Sequence, residues 1–251
     1  MLKVDADRYD RMRRISWVDM DAIAGTRCLV VGAGALGNEV VKNLVMAGFR
    51  DITVIDMDYI ILSNLSRCIF FRDRDIRSVS KAQILAERAS ELDPDCRVRA
   101  EVGYIQDYRG KDYDIAFGCL DNISARLHVN AHSYHDGKPY IDGAIEGLRG
   151  KVQVILPGGP CLECMMNRTH AQIMEQRYTC TGNLAYVPKV PSEITTTSII
   201  GAIQVREAIK IASGREDICI RNVCYYDGIT GSTEILEVQT REDCPNHGAR
   251  A

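Results

Sequence analysis

The stretch that decides the fold is RCLVVGAGALGNEVVKNLVMAGFRDITVIDMDYIILSNLSR, residues 27–67. An apolar run at 28–31 is followed by a glycine-rich turn, and from 38 to 47 apolar side chains recur at helical spacing. A second apolar run, 52–55, ends in Asp56. The pattern predicts a strand, a glycine turn, a helix and a second strand, the opening unit of a parallel α/β sheet.

The glycine turn has the spacing of a dinucleotide-type fingerprint, in which one glycine allows a tight turn, one admits a phosphate and one packs the helix on the strand. The helix amino terminus offers free N–H groups and a positive dipole end to an anion. Asp56, 19 residues beyond the last glycine, is placed to bind ribose hydroxyls. The turn residues expected at the nucleotide are Gly32, Gly34, Ala35, Leu36 and Gly37. Alone, this motif indicates only a nucleotide site.

The residues after Asp56 narrow the choice of nucleotide. Asp58 follows at once, and Asn64 and Arg67 stand in the run Ser-Asn-Leu-Ser-Arg. An amide and a fixed guanidinium suit a triphosphate better than a nicotinamide. Here the chain resembles the E1-like ATP-dependent activating enzymes, which include ubiquitin-type E1 adenylation domains and the activators of bacterial sulfur-carrier proteins. The resemblance runs from Arg8 to the tail. It implies that ATP is bound by the glycine turn and by the side chains of Asp56, Asp58, Asn64 and Arg67.

The length and composition limit the class of protein. At 251 residues and 46% hydrophobic, the chain can form one domain, 1–251. A net charge of −3 and a pI near 6.0 give no reason to expect nucleic acid. No apolar run approaches ~18 residues, and the charged opening residues lack the apolar segment of a signal peptide, so no membrane is expected. The ten cysteines are therefore expected in a reducing cytoplasm.

The remaining apolar runs predict the rest of the fold. Strand-like runs alternate with helical patterns, and two closing strands, 217–226 and 233–238, form a hairpin around Asp227. We expect a Rossmann-like, doubly wound, mostly parallel sheet with a C-terminal antiparallel extension and a structural zinc knuckle. An arginine-bearing helical segment at 8–24 precedes it, and an exposed crossing loop spans about 165–192.

Residues 8–17 place four arginines beside two aromatic residues before the first strand. Taken alone, this pattern is typical of a solvated helix face. The resemblance implies instead that Arg11 reaches the ATP phosphates of a partner subunit, where its charge would offset the phosphate charge as pyrophosphate leaves. A homodimer is therefore implied.

Two further residues take their roles from the resemblance. Lys81 follows a good helix cap, Ser80, and would otherwise be a surface charge; the resemblance places it on the phosphates. Asp121 ends an apolar strand and, with Asn122, would suit an ordinary helix cap. The resemblance assigns it to magnesium, which prefers carboxylate oxygen. One departure is Cys68, where the family usually has glutamine.

Two cysteine-rich half-sites predict a metal centre. Cys161-Leu-Glu-Cys164 and Cys244-Pro-Asn-His247 together offer three thiolates and one imidazole, a tetrahedral zinc set. Either half alone is unconvincing, and the resemblance supplies the pairing. The family's second half generally has two cysteines, so His247 replaces one. A second possibility, His128 with His132, has metal-ligand spacing but no supporting motif.

Cys180 lies in Tyr-Thr-Cys-Thr, within the crossing loop. A loop thiol is accessible, and a nearby helix dipole or cation would lower its pKa. The resemblance implies that it is the acceptor cysteine of ubiquitin-type E1 enzymes. An idle loop cysteine remains the alternative.

The resemblance implies ATP-dependent adenylation of the C-terminal glycine carboxylate of a ubiquitin-like carrier protein, followed by a thioester on Cys180 and transfer to an E2-like acceptor. The chain lacks room for the inserted cysteine domain of eukaryotic E1 enzymes, so a minimal homodimeric type is expected. One alternative is a sulfur-carrier adenylyltransferase that stops at the acyl-adenylate, with a sulfurtransferase as partner. Others are a homologue that adenylates a peptide or a tRNA-linked carboxylate, an NAD-dependent oxidoreductase and a non-catalytic subunit of a heterodimer.

Overall fold

The computed structural model describes residues 7–166, 191–220 and 222–247. Within them the chain forms one eight-stranded mixed sheet of order β3-β2-β1-β4-β5-β6-β7-β8. The strands are β1 Arg27–Val31, β2 Asp51–Ile55, β3 Arg97–Glu101, β4 Ile115–Gly118, β5 Tyr140–Glu146, β6 Arg149–Ile155, β7 Asn222–Asp227 and β8 Ser232–Leu236. The helices are α1 Asp10–Arg13, α2 Met20–Gly25, α3 Ala35–Ala47, α4 Lys81–Ser90, α5 Ile123–His135, α6 Leu162–Met165 and α7 Ile194–Ala212.

The first five strands are parallel, and the last three add to them in antiparallel fashion. The chain winds outward from β1 through β2 to β3, and then returns to the other side of β1 with β4. This reversal leaves a crevice outside the carboxyl ends of β1 and β4, where doubly wound sheets bind their ligands. The predicted fold class, a doubly wound mostly parallel sheet with an antiparallel C-terminal extension, is confirmed.

Helices cover both faces of the parallel strands. On one face, α3, α4 and α7 bury Leu44, Leu85 and Ile200 against the sheet. On the other face, α5 and α6 bury Val129 and Leu162. Both faces of the central strands are therefore apolar, which explains why these strands are continuous apolar runs rather than alternating ones.

One local prediction was wrong. The predicted strand 217–226 begins only at Asn222, because residues Glu216–Ile218 form a 3₁₀ turn. Helix α7 is capped by Glu193, whose carboxylate accepts hydrogen bonds from the backbone N–H groups of Thr195 and Thr196. Across the described residues, no helix combines the length and apolar character needed to span a membrane.

Candidate functional site

A cleft of about 840 Å³ opens at the carboxyl ends of β1, β2 and β4. Its volume lies in the range of small-molecule sites, roughly 300–1,000 Å³. Residues that the sequence analysis singled out from four separate parts of the chain line it together. They are Gly32, Gly34, Ala35, Leu36, Asp56, Asp58, Asn64, Arg67, Lys81 and Asp121.

The three glycines of the turn differ in their surroundings. A Cβ on Gly32, whose φ is +103°, would lie 2.4 Å from the carbonyl oxygen of Cys119. A Cβ on Gly37 would lie 1.9 Å from the carbonyl oxygen of Gly32, whereas nothing lies within 4 Å of one on Gly34. Gly37 is thus a packing glycine that does not line the cleft, and Gly34 keeps backbone open to a ligand.

Asp56 ties the glycine turn to the end of β2. Its Oδ2 accepts a hydrogen bond from the Ala33 N–H at 2.7 Å, and its Oδ1 accepts one from the Asp58 N–H at 2.7 Å. Burial raises the pKa of Asp56, although the nearby Lys81 ammonium opposes the shift. The carboxylate is therefore held at a fixed place on the cleft wall, with lone pairs left for a ligand hydroxyl.

Two cations share the cleft. Lys81 opens α4 after the Ser80 cap, is itself buried, and donates to Asp58 Oδ2 at 2.7 Å. Arg67 points to the Ser192 carbonyl oxygen, at 3.5 Å. Asn64 is buried and accepts a hydrogen bond from the Ile61 N–H at 3.0 Å, which fixes its amide. The two cations and the open turn at Gly34 thus place hydrogen-bond donors for phosphate oxygens in one cleft.

Asn122, and not Asp121, is the residue that caps helix α5. Asn122 caps α5 by accepting hydrogen bonds from the N–H groups of Ser124 and Ala125, at 2.9 and 3.3 Å. Asp121 is exposed in the cleft and makes no hydrogen bond or ion pair with any other described residue. A carboxylate that is not needed for the cap is free to bind a hard cation, and the donor type fits magnesium.

Arg11 lies outside this constellation. It is exposed on α1 and does not line the cleft of its own chain. The segment that carries it is fixed to the domain, because the Tyr9 hydroxyl donates to Asp93 Oδ2 at 2.6 Å and the Tyr9 ring packs beside Gly48. Arg11 is therefore presented outward from an anchored base.

The predicted zinc ligands come together in the fold. Ligand atoms of Cys161, Cys164, Cys244 and His247 all lie within 4.8 Å of one another. The Cys161 Sγ lies 3.9 Å from that of Cys164 and 3.6 Å from that of Cys244. Tetrahedral zinc with Zn–S bonds of about 2.3 Å needs sulfurs about 3.8 Å apart, so the donor set fits this ion.

The alternative metal pair finds no such support. The rings of His128 and His132 lie 4.2 Å apart, and in the described part of the chain they belong to no group of three or more metal-competent side chains.

Burial raises the pKa of Cys68 to about 12, so at neutral pH it is a buried neutral thiol rather than a substitute for an amide. Cys180 and most of the predicted crossing loop lie outside the described residues.

Sequence reasoning missed part of the cleft wall. A short turn after β3, Tyr104 to Asp107, lines the cleft, as do Ser192 and Thr197 at the start of α7. The first group follows the carboxyl end of a parallel strand, a signal that the topology rule offers. The second carries no local signal, because it is brought there by the return of the chain to Gly147.

The ThiF family model matches residues 8–246. This chain belongs to the ThiF family. It is 36% identical over 191 residues to the NEDD8-activating enzyme E1 catalytic subunit of Caenorhabditis elegans, covering 69% of this chain and 43% of that protein. It is 26% identical over 254 residues to the SAMP-activating enzyme E1 of Haloferax volcanii, covering 97% of this chain and 90% of that protein.

The structure of E. coli MccB with ATP shares the fold of this ThiF-family chain. Its TM-score is 0.76 at 19% identity, over 91% of this chain and 68% of MccB. The chain spans 43% of the C. elegans protein and 25% of a SUMO-activating enzyme subunit 2 from Dictyostelium discoideum. The family predicted from the sequence is confirmed, and an oxidoreductase is disfavoured.

Proposed function

We propose that this protein uses ATP to adenylate the C-terminal glycine carboxylate of a ubiquitin-like carrier protein. The observation that carries the proposal is the cleft, which joins the open glycine turn, Asp56, two cations and a free carboxylate, Asp121. The names of the ThiF-family relatives, activating enzymes for NEDD8, SUMO and SAMP, support this class of substrate.

Binding follows from the residues of the cleft. Asp56 accepts hydrogen bonds from the ribose hydroxyls, while the backbone at Gly34 admits the phosphates. Lys81 and Arg67 offset the phosphate charge, and Asn64 adds a fixed amide. Asp121 is the carboxylate that would hold magnesium, and the ion would supply positive charge beside the phosphate oxygens.

The reaction needs alignment more than covalent chemistry. A carboxylate oxygen of the carrier forms a bond to the α-phosphorus, and the bond from that phosphorus to the bridging oxygen breaks, with the electron pair leaving on pyrophosphate. No proton has to move in this step. The protein's contribution is to hold the two reactants in line and to offset the negative charge of the leaving group.

A homodimer completes the site in this proposal. Arg11 stands on an anchored segment, faces outward and does not line its own cleft. A cation in that position serves a neighbouring copy more readily than its own chain. We therefore assign Arg11 to the phosphates of the second subunit.

Zinc has a structural role in this proposal, held by Cys161, Cys164, Cys244 and His247. Such a closed set of four protein ligands leaves no coordination position for a substrate. It joins the turn after β6 to the C-terminal tail. Metal loss should therefore loosen the tail rather than alter the chemistry of the cleft.

Cys180 is proposed to attack the acyl-adenylate, so that AMP leaves and a thioester forms. Two of the ThiF-family relatives are named as E1 enzymes, which favours this second step. A sulfur-carrier adenylyltransferase that releases the adenylate to a sulfurtransferase is the second candidate. The two differ in one observable, a thiol-sensitive covalent adduct between enzyme and carrier.

The test of adenylation is carrier-dependent exchange of labelled pyrophosphate into ATP, with a small protein that ends in Gly-Gly. Asp121→Ala should abolish the exchange without unfolding the protein, because Asn122 and not Asp121 caps α5. Asp136→Ala, at the other end of the same helix, is the matched control and should exchange normally. Full exchange by the Asp121 variant would remove this carboxylate from the mechanism.

A further inference from the structure

Helix α5 lies between the cleft and the metal cluster. Its cap and first turn line the cleft, through Asn122, Ser124 and Ala125. Two residues nearer its other end, Asn130 and Tyr134, stand one helical turn apart and both contact the segments that carry the metal ligands. The adenylation chemistry proposed above assigns neither of them a role.

Tyr134 contacts the one imidazole of the cluster. Its hydroxyl oxygen lies 2.9 Å from His247 Nδ1, and the two rings are 4.6 Å apart. The other ring nitrogen, Nε2, is buried and has no hydrogen-bond partner among the described residues. A buried polar atom without a partner lowers the stability of the fold, so Nε2 is the atom expected to bind a ligand.

The contact with Tyr134 occupies Nδ1 and leaves Nε2 as the ring nitrogen available to a metal. A neutral imidazole carries one proton and offers one lone pair. When Nδ1–H donates to the Tyr134 oxygen, the buried Nε2 keeps its lone pair for a metal. Hydrogen-bond partners of this kind fix the tautomer and the ring orientation of histidine ligands.

Asn130 supports the other half of the cluster. It is fully buried, and its Oδ1 accepts a hydrogen bond from the Leu162 N–H at 2.9 Å. Leu162 directly follows the ligand Cys161, whose sulfur also accepts a hydrogen bond from the Asn246 amide at 3.4 Å. One helix therefore holds both the first half-site and the histidine of the second.

We propose that Tyr134 is a positioning residue of the metal centre, whose hydroxyl selects the His247 tautomer that presents Nε2 to zinc, while Asn130 fixes the backbone beside Cys161. The inference rests on the zinc assignment made above. It ties the hydroxyl to the histidine specifically, since a cysteine thiolate at position 247 would have no ring nitrogen for Tyr134 to orient.

The test measures the rate at which zinc passes from the full-length, zinc-loaded protein to a coloured chelator. Tyr134→Phe keeps the ring and removes only the hydroxyl, so release should become about 10- to 100-fold faster. Tyr113→Phe is the matched control, because its hydroxyl contacts Ser133 on the same helix at 3.3 Å but touches no ligand. The control should release zinc at the wild-type rate.

A second arm separates orientation from general loosening of the helix. In a His247→Cys background, the further change Tyr134→Phe should leave the release rate unchanged, which makes a double-mutant cycle with a large coupling term. Histidine ¹⁵N spectra of the zinc-loaded wild type should show His247 protonated on Nδ1. These readouts do not depend on activity.

Three results would overturn the inference and leave the zinc assignment in place. One is wild-type release from Tyr134→Phe, another is equal acceleration in the His247→Cys background, and the third is a spectrum with zinc on Nδ1. Protein that takes up no zinc would overturn the inference together with the zinc assignment. The adenylation proposal would still stand or fall on pyrophosphate exchange.

Discussion

Gly37→Ala is expected to destabilise the protein although alanine is the better helix former. Gly37 stands in the first turn of α3, where propensity alone would favour alanine by about 1 kcal/mol. The new Cβ, however, would lie 1.9 Å from the carbonyl oxygen of Gly32 and 2.9 Å from its carbonyl carbon. Both atoms are backbone and cannot rotate away, so the helix has to move.

The required movement sets the magnitude. A Cβ and an oxygen do not approach closer than about 3 Å, so the start of α3 must shift from β1 by roughly 1 Å. Overpacking of this kind costs about 1–3 kcal/mol, and rigid backbone on both sides favours the upper end. For a chain of this size, 3 kcal/mol lowers the Tm by about 6–12 °C.

Gly34→Ala is the matched control and should show the opposite result. Nothing lies within 4 Å of its Cβ, and its φ of −73° is accessible to alanine. Alanine lowers the entropy of the unfolded chain, which stabilises the protein, but it is a poorer helix cap than glycine, which destabilises it. The two effects nearly cancel, so stability should stay within about 1 kcal/mol of wild type. The methyl group would occupy space that a phosphate needs, and the Kd for ATP should rise by about tenfold or more.

Two measurements check the pair: urea unfolding without nucleotide, and calorimetric titration with ATP. We expect a lower urea midpoint for Gly37→Ala only, and lost affinity without lost stability for Gly34→Ala. A wild-type midpoint for Gly37→Ala would show that the contact with Gly32 relaxes freely. Unchanged ATP affinity of Gly34→Ala would refute the placement of phosphates at this turn.

Three further predictions concern the dimer, the proposed acceptor cysteine and a buried ion pair. Mixing Arg11→Ala and Asp121→Ala subunits should restore one active site per heterodimer in the exchange assay, and failure despite proven subunit exchange would exclude action across the interface. Cys180→Ala should keep pyrophosphate exchange but lose the reducible conjugate with the carrier on a non-reducing gel; an unchanged conjugate would exclude Cys180 as the acceptor. Asp75→Asn should cost about 3 kcal/mol at pH 7, because it breaks a buried pair with Arg88 at 2.6 Å. The Arg88 guanidinium lowers the pKa of Asp75 in the folded state, so this stabilisation is present above about pH 4 and is lost as pH falls through the folded pKa. In urea unfolding, the difference in unfolding free energy between wild type and variant should therefore be smaller at pH 3 than at pH 7. An equal difference at both pH values would contradict the pairing.

The part of the site that could be predicted from the residues alone is the part that is continuous in sequence. The glycine turn and Asp56 lie within 25 residues and have a local signature, because the backbone geometry around a phosphate requires glycine at set positions. Lys81 and Asp121 have none, since a single lysine at a helix start or an aspartate beside a cap is common. Their placement came from the family resemblance, and the structure brings both to the cleft.

The first residues of the predicted strand 217–226 show why a local sequence pattern fails elsewhere. Its apolar residues alternate as in a strand, but the Ile220 N–H donates to the buried carboxylate of Glu207 on α7, at 2.7 Å. Lys210 of the same helix also donates to the Ile218 carbonyl oxygen, at 3.0 Å. These tertiary hydrogen bonds replace the strand partners that a ladder would supply, and no local sequence pattern shows them.

The charges of the cleft connect the magnesium and dimer proposals. Four carboxylates, those of Asp56, Asp58, Asp107 and Asp121, line it against two cations, Arg67 and Lys81. Lys81 is already paired with Asp58, whose side chain is half-exposed and can therefore return to water at small cost when a phosphate takes the ammonium. Even so, the described residues alone leave the cleft net negative, which opposes a triphosphate. Added positive charge must come from elsewhere, and a divalent ion on Asp121 together with Arg11 from a second subunit would supply it. The acidity of the cleft is thus a physical reason for the metal and for the partner cation that the family resemblance alone had implied.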